Sequence, residues 1–229
     1  MTANRRIALL ALFQVLVIGV MLGPPKFTNS VTVPRNLGSP VLALEVARNV
    51  EEVDMILGPM PSADRLTMRL KTIQDFAFLT GYGLTFVLLA LMLRKLEPLW
   101  GNAALAVAIA APLLDIIENA FILKICETPL DLTTQSTIDA MRYASYAKWA
   151  CAFLAIGILT RVYFAGRGKL AKVLAWIHLA IAIVGIAGLV IHPVLFNYAM
   201  APLPISLPLT AWYFWWKRDV PISVTRAEA

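Results

Sequence analysis

Five polar residues interrupt stretches that are otherwise mostly apolar, and any chemistry in this chain has to be sought among them first. Asp115, Glu118 and Asn119 stand in the run Asp-Ile-Ile-Glu-Asn, and Asp75 and Lys148 stand in two other apolar stretches. Offsets of three and four place Asp115, Glu118 and Asn119 on one face of a helix. Carboxylates and an ammonium within a hydrocarbon layer cost several kcal/mol unless they are paired or hydrated. The least costly arrangement pairs Lys148 with Asp115 or Glu118 and leaves Asn119 to satisfy the remaining hydrogen-bonding capacity. One ammonium cannot neutralise three carboxylates. Such a group is either an interhelical ionic clamp or a site open to the outer face that handles a proton, a cation or a lipid headgroup. In the second case Asp115 and Glu118 are the candidates for acid/base work.

The elements that carry these residues follow from composition. The chain has 229 residues, of which 59% are hydrophobic and 15% charged. A soluble domain carries about a quarter charged residues. The apolar residues here form long blocks, as a helix crossing roughly 30 Å of hydrocarbon needs. Six such blocks are legible, at about 7–23, 75–93, 99–123, 143–164, 173–191 and 202–216. The sequence therefore predicts an all-α polytopic membrane bundle, a single integral membrane domain of about six transmembrane helices. The first block follows Arg5-Arg6 and lacks a small-x-small cleavage site, so it reads as a retained signal anchor. The last is short and rich in proline, at Pro202, Pro204 and Pro208.

Charge orients the bundle. With the N-terminus inside and six crossings, the cytoplasmic segments hold eleven basic residues, among them Arg5, Arg6, Arg94, Lys95, Arg161, Lys217, Arg218 and Arg226, against three acidic ones, Glu97, Asp219 and Glu228. The remaining nine basic residues face eleven acidic ones, which is the distribution of the positive-inside rule. Both termini are expected in the cytoplasm, and a bacterial inner membrane is the expected location. This orientation sets Asp115 about 24 Å along its helix from Leu99, in the outer half, where Asp75 and Lys148 also fall. Arg142, Tyr143 and Tyr146 lie near enough in sequence to join them.

One long connection, residues 24–74, is punctuated by Pro34, Gly38 and Pro40. Within it, Ala43–Leu57 reads as one amphipathic external helix, with Val46, Val50, Val53 and Leu57 on the apolar side and Glu45, Arg48, Glu51 and Glu52 opposite. Gly58-Pro59 ends it, and Ser62 or Asp64 is placed to cap a helix leading into the second span. Small residues at Gly81, Gly83, Ala104, Ala108, Ala111, Gly185 and Gly188 read as packing positions. Pro112, one turn before Asp115, is placed to kink the third span.

Other motifs carry little. Ser145 and Lys148 have Ser-x-x-Lys spacing, but the companion motifs of the hydrolases that use it are missing. His178 and His192, fourteen apart, have a haem-ligating spacing, yet no other helix offers a second histidine. Asp115 and Glu118 have no histidine at helical reach, which argues against a transition-metal site. Cys126 and Cys151 fall at different depths, which argues against a disulfide. The basic residues are accounted for by topology, so no nucleic acid is expected as a partner.

The expectation is a non-enzymatic membrane protein, an accessory subunit or small carrier, without a cofactor. The bilayer is its partner, with a further membrane protein or a second copy as companion. The alternatives are a membrane enzyme acting on a lipid or isoprenoid through carboxylate acid/base chemistry, and a haem-binding electron carrier. The segments at 44–53 and 115–119 point to no family of known activity.

Overall fold

The computed structural model describes residues 2–28 and 36–216. Pro34 and the charges Lys217, Arg218, Asp219, Arg226 and Glu228 lie outside the described residues. The described chain is helical throughout: α1 (Ala3–Leu22), α2 (Pro40–Glu45), α3 (Val50–Leu57), α4 (Ala63–Leu96), α5 (Pro98–Glu127), α6 (Gln135–Ala165), α7 (Lys169–Val190), α8 (Leu195–Met200) and α9 (Leu203–Trp216). A 3-10 turn, Leu130–Leu132, lies between α5 and α6.

Five helices, α1, α4, α5, α6 and α7, are long and apolar enough to cross a membrane. The sixth apolar block differs from its expectation. It yields α9, a helix of 14 residues, or about 21 Å, which is shorter than a hydrocarbon core. Its predecessor α8 is separate, and Pro202 stands in the turn between them. The long helices pack in a ring, in which α1 meets α4, α4 meets α5, α5 meets α6, and α6 meets α7. Short α9 closes the ring between α7 and α1, and α4 also reaches α6 across it.

Local chemistry sets the boundaries. Ser62 rather than Asp64 caps α4, accepting a hydrogen bond from the Arg65 amide at 3.0 Å. Asp64 instead accepts from the Thr28 amide and hydroxyl. Only Glu97 separates α4 from α5, and Pro98 takes the first position of α5, where its missing N–H has no cost. Pro112 lies inside α5 and abuts α4. A Cβ on Gly83 would come within 3.1 Å of the Pro112 ring, so the small residue admits the proline. Gly185 likewise leaves room for the Phe153 ring, which would meet an added Cβ at 2.4 Å.

The connection before α4 is not one helix. Residues 43–57 divide into the end of α2 and the whole of α3, with the break at Val46–Asn49. Asn49 caps α3 by accepting from the Glu52 amide at 2.9 Å, and Glu52 accepts from the Arg48 amide at 2.8 Å. These reciprocal bonds satisfy amides that a continuous helix would have bonded internally. Leu44, Val46, Ala47, Val53, Ile56 and Leu57 are all buried in the core that contains Phe153 and Phe196. The helices α4, α5 and α6 run past the blocks that the sequence marks as spans, and their extra turns form the wall against which α2 and α3 pack. Arg65 fixes this end of the bundle, donating to the Gly58, Ile125 and Thr128 carbonyls at 2.8–3.0 Å. Cys126 and Cys151 are free thiols.

Candidate functional site

On α5 the inward face carries Ala104, Ala108, Ala111, Asp115, Glu118, Asn119 and Ile122, while Leu113, Ile116 and Ile117 face outward. The alanines allow close approach, and the polar residues follow along the same stripe. On α6, Ser145 and Lys148 are buried one turn apart. The α5/α6 interface therefore aligns Lys148 with both acids.

The Lys148 Nζ lies 2.8 Å from both carboxylate oxygens of Glu118 and 3.4 Å from Asp115 Oδ1. It is also 3.4 Å from Glu45 Oε1, at the end of α2. One ammonium thus touches three carboxylates from two other helices. Neutral side chains donate to Asp115, Glu45 and Asp75. Tyr82, on α4, donates its hydroxyl to Asp115 Oδ2 at 2.7 Å. The Trp149 indole donates to Glu45 Oε2 at 2.7 Å. Asn119 donates its amide to Asp75 Oδ2 at 2.9 Å, so Asp75 is held as a fourth carboxylate beside the group. Asp115, Glu118, Asn119, Glu45 and Lys148 are all buried, and Asp75 is half-buried.

An aromatic wall closes one side. Trp149, Phe153 and Phe196 stack with centroids 5.4–6.0 Å apart, joining α6 to α8. Lys148 Nζ lies 4.6 Å from the Trp149 ring centroid, within cation–π reach. The charge count of the group is uneven. Four carboxylates surround one ammonium, in a setting where each uncompensated charge costs several kcal/mol. Among the described residues no group of three or more His, Cys, Asp or Glu is arranged to hold a metal ion.

All five sequence-derived residues, Asp75, Asp115, Glu118, Asn119 and Lys148, meet in this one group. Arg142, Tyr143 and Tyr146 do not join it. Arg142 pairs with Asp139 at 2.7 Å and lies over the Tyr143 ring, which is exposed, while Tyr146 packs on the core. Glu45, Tyr82 and Trp149 are the members that sequence reasoning did not bring in. The sequence pattern places Glu45 on the polar side of a single helix, whereas the Asn49-x-x-Glu52 capping signature marks the break that lets it turn inward. Tyr82 stands seven residues after Asp75, two turns along the same face of α4.

The remaining motifs separate from this group. Among the described residues the Ser145 Oγ has no hydrogen-bond partner, and Lys148 donates to carboxylates instead, so no Ser–Lys dyad is formed. The His178 Nδ1 lies 2.7 Å from the Leu174 carbonyl, and its ring stacks on Tyr163 at 4.9 Å. His192 lies beyond the end of α7, where its Nδ1 accepts from the Val194 amide. No family model, no curated protein and no solved structure matches the chain.

Proposed function

We propose that the chain is a small non-enzymatic membrane carrier whose buried carboxylate group binds a proton or a monovalent cation. In this reading it crosses a bacterial inner membrane six times, with α8 and α9 together making the sixth passage. Both termini lie in the cytoplasm and the group faces the outer leaflet, capped from outside by α2 and α3. The observation that carries the proposal is Lys148, which touches Glu45, Asp115 and Glu118 at once while Asp75 adds a fourth carboxylate nearby. A purely structural clamp needs one acid per ammonium. Three further buried or half-buried carboxylates are a cost that binding a cationic species would offset.

The test is ion flux in sealed vesicles containing the purified chain and a trapped pH- or sodium-sensitive dye. Dissipation of an imposed proton or sodium gradient faster than in empty vesicles supports the carrier. Rates equal to those of empty vesicles under both gradients contradict it. A second reading, an accessory subunit in which the group is only a clamp, draws on the near-complete burial of Asp115, Glu118 and Lys148. It predicts no flux together with co-purification of a larger membrane partner or a second copy.

A further inference from the structure

At the end of the bundle opposite the carboxylate group, the N-terminus of α1 meets the C-terminus of α4. Gln14 fixes the antiparallel register by donating to the Thr85 hydroxyl at 2.9 Å. An open groove of about 470 Å³ lies there, lined by Ala3, Leu88, Leu91, Met92, Arg94 and Lys95. Leu88, Leu91, Met92 and Lys95 follow offsets of three and four, so they form one stripe on α4. The groove is thus apolar along its length and cationic at its mouth. Arg6 stands three residues after Ala3, on the same side of α1, and is exposed.

Among the described residues, Arg6, Arg94 and Lys95 have no acidic partner within ion-pair distance. The nearest acid in sequence, Glu97, is engaged by Arg161 at 2.5–2.7 Å. The N-terminal end of α1 adds its own positive dipole. Basic residues in the last turn of α4 do complement that helix's C-terminus, but that role requires no apolar groove beside them and no cation from α1. An apolar channel between two membrane helices, with cations at its mouth that have no acidic partner among the described residues, matches an anionic phospholipid. Its acyl chain would lie along Leu88, Leu91 and Met92, and its phosphate would sit at Arg94, Lys95 and Arg6.

We infer that the α1/α4 groove is a binding site for an anionic phospholipid. The inference rests on reading α1 and α4 as membrane spans. It is independent of what the carboxylate group binds.

Native mass spectrometry of the full chain, extracted in a mild non-ionic detergent, tests it. Phosphatidylglycerol and phosphatidylcholine are added at equal concentration and the retained adducts compared. The expected result is at least tenfold preference for phosphatidylglycerol. Arg94→Gln with Lys95→Gln should reduce that preference at least fivefold, and Arg94→Lys with Lys95→Arg should keep it. Arg167→Gln with Lys169→Gln, exposed basic residues at the junction of α6 and α7, should leave it within twofold. Equal loss in both neutralised pairs would mean diffuse attraction and overturn the site. So would an unchanged preference in the Arg94/Lys95 pair, or full displacement of the lipid by inorganic phosphate at matched concentration. A chain that stays soluble without detergent would instead overturn the membrane reading itself.

Discussion

The α5/α6 interface is joined by two ion pairs, one toward each end, and the two differ in burial and in the charge around them. Lys148 meets Glu118 with side-chain exposures of 6% and 1%, whereas Arg161 meets Glu97 with exposures of 42% and 37%. Around Lys148 the acids are in excess. Around Arg161 the bases are in excess, with Arg94 and Lys95 close in sequence to Glu97. Basic residues near the Lys148 end are committed elsewhere: Arg65 and Lys71 donate to backbone carbonyls, and Arg69 and Arg142 pair with Glu127 and Asp139. A dry pair with surplus acid and a wet pair with surplus base make opposite demands on their surroundings. On the proposed reading, a bound positive species balances the first, and the surplus bases beside the second recruit an anion.

Removing Lys148 should separate the two ends most strongly. Lys148→Met leaves Glu45, Asp115 and Glu118 buried without their cation, and a loss of about 3–5 kcal/mol is expected. Thermal unfolding in detergent, or failure to accumulate as a monodisperse species, reads this out. Next in size, Tyr82→Phe removes the hydroxyl that donates to Asp115 and should cost about 1–2 kcal/mol. Glu45→Gln should cost under about 1 kcal/mol, since the amide oxygen still accepts from Trp149 and a surplus charge is removed. That asymmetry sharpens the comparison: a balanced clamp would lose as much from Glu45→Gln as from Lys148→Met. Smallest of all, Arg161→Gln at the exposed pair should change stability by about 0–1 kcal/mol, and less again at high salt. A large loss from Arg161→Gln would erase the distinction between the two ends.

How much of this was legible in the sequence depended on how locally each feature is encoded. Asp115, Glu118 and Asn119 are neighbours on one helix, so their shared face followed from spacing alone. Lys148 followed from the depth that charge orientation assigns to it. Glu45 did not, because an apolar stripe through Val46, Val50, Val53 and Leu57 fits one helix as well as two, and only the cap at Asn49 and Glu52 distinguishes them. Tyr82 was hidden because an aromatic residue in an apolar span is ordinary packing until its hydroxyl finds a partner. The sixth block shows a different limit. Hydropathy measures how apolar Pro202–Trp216 is, but where the helix starts depends on the prolines and on the gap left between α1 and α7. The groove between α1 and α4 is a property of two helices packed together, and neither sequence segment announces it alone.

Asp75 gives the most direct test of the central claim, that the surplus carboxylates serve binding rather than architecture. It is held by Asn119 rather than by Lys148, so Asp75→Asn removes a surplus charge and leaves the Lys148 contacts in place. The decisive measurement is gradient dissipation per folded molecule in vesicles, wild type against Asp75→Asn, with unfolding temperature taken in parallel. The account predicts at least a tenfold fall in flux at an unchanged unfolding temperature. Flux that is unaltered by Asp75→Asn, or absent from the wild type, would contradict it.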